Sequence, residues 1–319
     1  MPLILPFDDG HRSKDYNYVR GAWTPFRSLF EALAVMKPDG QLMDVDVLAD
    51  RHTLRQLLEV CQGKGSHMRL DLHVHCNTLI IVRNKEVWRQ YEQGGYGNSF
   101  QETFTTPAEG MEDTTHHYRA IRYPMGPLNV VCRYAADAYD DGMVVDPLAF
   151  SNAKAVKGLP STKPFFWFNR PFVVQRQGHI VPTTQIVELR ARVCNNEEGI
   201  IGSPASQERL WFGRTSLSYI APVSRKTAVV VRVKTDDARD RVMAWEATNQ
   251  ESLRKLVTLL DLLRTAVKSQ PGLAAVLMRE GSGQPLTICS MQDGTISRQV
   301  KDDVAMRHWK VVQERSRWG

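Results

Sequence analysis

The stretch Gln185-Ile-Val-Glu-Leu-Arg-Ala-Arg-Val193 constrains the fold more than any other part of the chain. Read as a strand, it puts Val187, Leu189, Ala191 and Val193 on one apolar face and Glu188, Arg190 and Arg192 on the other. Same-face neighbours lie roughly 6.5–7 Å apart, so the three charged groups can serve one ligand or one another. Surface strands often carry such ion pairs, which leaves a purely structural role open. A second strand-like run, Leu128 to Tyr139, is apolar enough to be central and carries Asp137 near its end. Two core-type strands that each bring a carboxylate toward one edge predict a site. The expectation is that they lie side by side in one sheet, with Asp137 and Glu188 within about 8 Å of each other.

Length and composition fit that picture. A chain of 319 residues, 42% hydrophobic and 24% charged, can bury a large core, and no compositional break divides it. The predicted fold class is α/β (α+β): a single domain with a central mixed β-sheet flanked by helices. Residues 1–20 are predicted as an N-terminal arm and 21–319 as the single domain, with a Gly/Pro/Ser-rich loop insertion at about 140–164. No apolar run is long enough for a membrane span, and the first residues lack the pattern of a signal peptide. The five cysteines are odd in number and widely spaced, without zinc-site spacing, and read as reduced thiols of a cytoplasmic protein. A net charge of +6 permits a polyanionic partner without establishing one.

Helical spacing predicts helices over 25–36, 50–60 and 204–211. A further helix begins near Thr248, where Thr248 and Glu251 are spaced as a capping box. Residues 70–83 alternate as two strands with a turn at Asn77-Thr78, and 217–221 and 228–234 read as extended. His73 and His75 share a strand face, a conceivable metal pair without a third ligand nearby in sequence. The glycine-rich tract at 93–100 reads as a tight turn into a helix, because no Lys-Ser/Thr follows as a phosphate loop requires. The last thirty residues are charged and predicted to be peripheral.

Acids on adjacent strands of an irregular α/β chain resemble the PD-(D/E)XK nuclease-like core, which holds a divalent cation for phosphodiester hydrolysis. More narrowly, four stretches resemble the eukaryotic decapping exonuclease/pyrophosphohydrolase family. Gly95-Tyr-Gly-Asn-Ser-Phe-Gln101 is similar to its G-Y-x-F-E, Ala135-Ala-Asp137 to its E-V-D, Glu188-Leu-Arg190 to its E-L-K, and Trp211-Phe-Gly-Arg-Thr215 to its aromatic helix W-A-Q-S. Where that family has carboxylates, this chain has Gln101 and Ala135; Arg190 stands for the lysine and Arg214 for the helix glutamine. Two remaining acids beside arginines make a poor magnesium site, so neither a metal nor another cofactor is expected.

A resemblance over roughly Trp23 to Trp309 joins the chain to a large fungal family. It rests on Asp44–Leu58, Arg133–Tyr139 and Glu246–Leu256. Some of that family is associated with arginine-containing cyclodipeptide synthases. The resemblance implies a tRNA-dependent aminoacyltransferase that condenses arginyl-tRNA with a second aminoacyl-tRNA to a diketopiperazine. Asp137, Glu188 and Arg190 would then be catalytic, and Gln101, Arg192 and Arg214 would bind substrate. Two other readings stay open: a degenerate metal-dependent nuclease or decapping-type hydrolase, and a non-catalytic RNA-binding protein of that fold.

Overall fold

A computed structural model describes residues 3–8, 24–83, 95–142 (without 109, 113 and 115), 174, 178–195, 206–291 and 299–309. The larger of two sheets contains β1 (Val47–Asp50), β2 (Met68–His75), β3 (Thr78–Arg83), β4 (His117–Met125), β5 (Leu128–Ala136), β10 (Ala274–Arg279) and β11 (Thr287–Ser290). Their order is β11-β10-β2-β3-β1-β5-β4. The smaller sheet runs β6 (Ala138–Tyr139), β7 (Ile186–Cys194), β8 (Leu217–Ser224) and β9 (Lys234–Asp237). Strand β1 is parallel to both β3 and β5, while the other pairs of the larger sheet are antiparallel. The mixed sheet expected from the sequence is therefore present, in a single domain.

Alternation along the central strands explains why helices cover both faces. Val47, Ala49, Leu79, Ile81, Val130 and Cys132 point to one side and meet Leu54, Leu57, Leu58, Leu256, Leu260 and Leu263. Those leucines come from helices over Arg51–Cys61 and Gln250–Lys268. Leu48, Ile80, Val82 and Val131 point to the other side, onto Phe26, Phe30, Val300, Val304 and Trp309. Each fully buried apolar side chain contributes on the order of 1.5–3 kcal/mol, so a strand apolar on both faces favours the centre. In chain order the helices are α1 (Arg27–Met36), α2 (Arg51–Cys61), α3 (Gly97–Phe104), α4 (Gln207–Gly213), α5 (Arg239–Thr248), α6 (Gln250–Lys268) and α7 (Asp302–His308).

Several local expectations change. The described part of the last thirty residues is not peripheral. Helix α7 brings Val304 into the second core, and the Trp309 indole N–H donates to Thr78 Oγ1 at 3.1 Å. The capping box at Thr248 does not form, because α5 runs to Thr248 and its hydroxyl turns back to the carbonyls of Ala244 and Trp245. Of the stretch 228–234, only Lys234 belongs to a strand; Val229 and Val230 make isolated bridges to Ile4 and Val223. His75 packs edge-on against Trp309, and burial lowers the His73 imidazole to about 4. All five cysteines are unpaired thiols.

The segment Leu3–Asp8 holds α3 in place. Leu5 is buried and its N–H donates to Ala228 O at 3.0 Å. Asp8 accepts from the backbone N–H groups of Asn98 and Ser99 at 2.8 and 2.9 Å, which satisfies open donors in the first turn of α3. The glycine-rich tract thus enters a helix, as its sequence suggested. Residues 9–20 of the predicted arm and 143–164 of the predicted insertion lie outside the described residues.

Candidate functional site

The site forms where the chain changes sheet. Strand β5 ends at Ala136, and Ala138 and Tyr139 pair instead with Val187 and Ile186 of β7. Asp137 is the residue at the crossing. Its Oδ2 accepts from the Leu189 N–H at 3.0 Å, and its backbone carbonyl accepts from Gln101 Nε2 at 2.8 Å. The expectation of two strands side by side in one sheet is therefore corrected: β5 and β7 belong to different sheets. The two acids still meet, because the crossing residue is itself one of them.

Glu188 is the other acid, only 1% exposed. Its Oε1 accepts from Arg51 Nη1 and its Oε2 from Arg209 Nε. Arg209 also reaches Asp137, with Nη2 at 3.3 Å from Oδ2. Arg51 opens α2 directly beyond the carboxyl end of β1, and its guanidinium lies 4.4 Å over the Tyr134 ring. Its Nη2 donates to the Ala135 carbonyl at 3.4 Å. One turn later Arg55 donates to Glu208 at 2.9 Å, tying α2 to the first turn of α4.

Arg51 and Arg209 were missed in the sequence. Two signals were there: an arginine directly after the strand-to-helix Asp50, and another two residues before Trp211 in the aromatic helix tract. Arg133, the nearest arginine in sequence to Asp137, instead pairs with Asp50 at 2.7 Å and stacks on Phe26.

Electrostatics separates the two acids. Burial raises the Glu188 carboxyl, but Arg209 and Arg51 outweigh it and hold the group below its ordinary value. Burial, reinforced by the Glu188 charge, raises Asp137 above its ordinary value in spite of Arg209. Arg190 lies beside both and is lowered to about 10, first by burial and then by the charge of Arg209. Its guanidinium makes no hydrogen bond among the described residues. Arg192 is half-buried on the same strand. Arg214 caps α4 in a left-handed conformation (φ 51°) and rests on the rings of Tyr123 and Trp211 at 4.2 and 4.4 Å. No ion pair joins Arg214 to either acid among the described residues. Of the six residues singled out from sequence, the structure gathers Asp137, Glu188, Arg190 and Gln101.

This donor set does not fit a divalent cation. Magnesium-type ions need several oxygen donors with open lone pairs. Here both Glu188 oxygens already accept from guanidiniums, and Gln101 and Ala135 supply no further carboxylate. Among the described residues no group of three or more His, Cys, Asp and Glu is placed to hold a metal. The same pairing leaves Glu188 no free oxygen for an arginine substrate, because both are taken by the protein's own arginines.

A family model described as "Domain of unknown function (DUF8563)" matches residues 1–309. No curated protein matches the chain. Solved structures share its fold at low identity. Schizosaccharomyces pombe Rai1 in complex with 3'-FADP aligns with TM-score 0.54 and 12% identity, over 83% of this chain and 77% of that one. Candida albicans Rai1 in complex with pU5-Mn2+ gives 0.55 and 11%, over 94% and 82%. Scheffersomyces stipitis Rai1 with (3'-NADP)+ and calcium ion gives 0.55 and 10%, over 85% and 74%. The cyclodipeptide synthase reading, with its arginyl-tRNA substrates and aminoacyltransferase chemistry, is therefore corrected. The fold neighbours are Rai1 proteins, and nothing in the comparisons points to a synthase. No helix among the described residues is long and apolar enough to cross a membrane.

Proposed function

The chain belongs to the DUF8563 family, a domain of unknown function, and we propose that it is an RNA-binding protein on a decapping-type nuclease core that has lost metal-dependent hydrolysis. The observation that carries this reading is the engagement of both Glu188 oxygens by Arg51 and Arg209. The acid that the E-L-K resemblance would assign to a metal is neutralised internally.

An RNA partner is supported by the charge that remains. Arg51, Arg209 and Arg190 face two carboxylates, an excess of one positive charge. Among the described residues nothing takes the guanidinium donors of Arg190, and a planar guanidinium suits the oxygens of a phosphate. Gln101 and the Leu189 N–H fix Asp137 against β7, so the cationic face is preorganised. The neighbours' complexes with 3'-FADP and pU5 fit the same ligand chemistry. Five unpaired cysteines suit a reducing, cytoplasmic setting.

The test pairs a binding assay with a cleavage assay on a 5'-phosphorylated oligoribonucleotide. Saturable binding without cleavage in Mn2+ is expected. Replacing Arg190 by Ala should make the slope of log affinity against log salt shallower by about 0.7, the contribution of one phosphate on a single strand. Mn2+-dependent cleavage by the purified protein would restore the hydrolase reading, and absence of RNA binding would remove the proposal.

A further inference from the structure

One side chain spans the two acids. Arg209 places Nε on Glu188 Oε2 and Nη2 on Asp137 Oδ2, so a carboxylate from β7 and one from the crossing between the two sheets converge on a single guanidinium. We infer that Arg209 is a built-in replacement for a divalent cation and the residue that sets the ionic specificity of this site. With Arg209 in place the site rejects metal ions; without it Asp137 and Glu188 take one ion whose shell water completes, in place of the carboxylates missing at Gln101 and Ala135. The inference rests on the metal-free reading proposed above.

The physical case is one of geometry and charge. Hard divalent ions bind carboxylate oxygens from separate elements and fill the rest of their shell with water. Arg209 holds two such oxygens and its side chain is 21% exposed, so water can enter the volume that its removal would open. The acids would stay positioned without it. Glu188 keeps Arg51 on its other oxygen, and Asp137 keeps the Leu189 N–H and the Gln101 contact to its backbone. Truncating Arg209 leaves Arg51 and Arg190 against two carboxylates, where the native site has one more cation. Arg190, whose guanidinium has no hydrogen bond among the described residues, would then be the main repulsion felt by an incoming ion.

The experiment follows free Mn2+ by electron paramagnetic resonance as protein is added, with no RNA present, so that its failure is separate from a failure of RNA binding. The native chain should leave the free-ion signal unchanged. Arg209→Ala should remove it saturably with one ion per chain. Arg190→Ala added to that variant should tighten binding, and Asp137→Asn added instead should abolish it. Native protein that binds Mn2+ as well as Arg209→Ala, or a folded Arg209→Ala that binds none, overturns the inference. Should Arg209→Ala be unfolded, Mn2+ should restore a cooperative melting transition. An Arg209→Ala chain and an Arg209→Gln chain that both stay unfolded with Mn2+ overturn it equally.

Discussion

Two arginine–carboxylate networks in this protein use the same functional groups in different surroundings. Between α1 and α7, Arg27 and Arg307 face Glu31 and Asp303, with Arg27 Nη2 2.8 Å from Asp303 Oδ2 and Arg307 Nη1 3.0 Å from Glu31 Oε2. The side chains of Asp303 and Arg307 are 43% and 44% exposed. At the sheet junction, Glu188 and Arg51 are 1% and 6% exposed. Arg27 and Glu31 are 14% and 15% exposed, but their partners Asp303 and Arg307 stand in water and salt, so these pairs contribute little beyond orienting α7. The second is desolvated, and apolar side chains of similar volume would often fold as well or better there. A network that adds so little net stability there reads better as a site than as a fastening. The burial of the Arg51–Glu188 pair, not residue identity, separates the two.

The largest expected effect is at Glu188. Glu188→Gln leaves the buried Arg51 and the part-buried Arg209 facing a neutral amide and should cost about 3–5 kcal/mol in urea unfolding. A loss comparable to a surface substitution would break the contrast between the networks. Arg51→Met should cost less, roughly 1.5–3 kcal/mol, because Arg209 still pairs with Glu188 while one charged hydrogen bond is gone.

Acid sharpens the comparison further. Glu188 is held below its ordinary value, so its stabilisation is present above the ordinary glutamate range and is lost as pH falls through the lowered value. Asp137 is raised, so its contribution has the opposite sign: it is present below the ordinary aspartate range and lost as pH rises through the raised value. Unfolding midpoints followed from about pH 6 to about pH 2 should fall at the acid end in the native chain. Glu188→Gln should lack that component. The smallest effect belongs to the exposed network, where Asp303→Asn should cost about 0–1 kcal/mol and less in high salt.

Much of the fold was legible because it is written in periodicity. The strands at 70–83, 128–136 and 186–194 and the helix over Gln250–Lys268 follow from alternation and helical spacing. Asp137 and Glu188 were legible for the same reason, as acids within apolar strands. Their partners were not. Arg51 lies 137 residues from Glu188 in sequence, and only the tertiary packing of α2 against the junction brings it there. The change of sheet at Asp137 was also hidden, because β5 and β6 read as one continuous strand. The role of the C-terminal residues was obscured by charge: Asp302, Asp303 and Arg307 surround the Val304 and Trp309 that bury α7.

The most direct test compares the affinity of one 5'-phosphorylated oligoribonucleotide for the native protein in EDTA and in excess Mn2+, at matched ionic strength, by fluorescence anisotropy. A site held by its own guanidiniums should bind equally in both. Affinity that appears only with Mn2+ would contradict the central claim and place a metal between Asp137 and Glu188 after all.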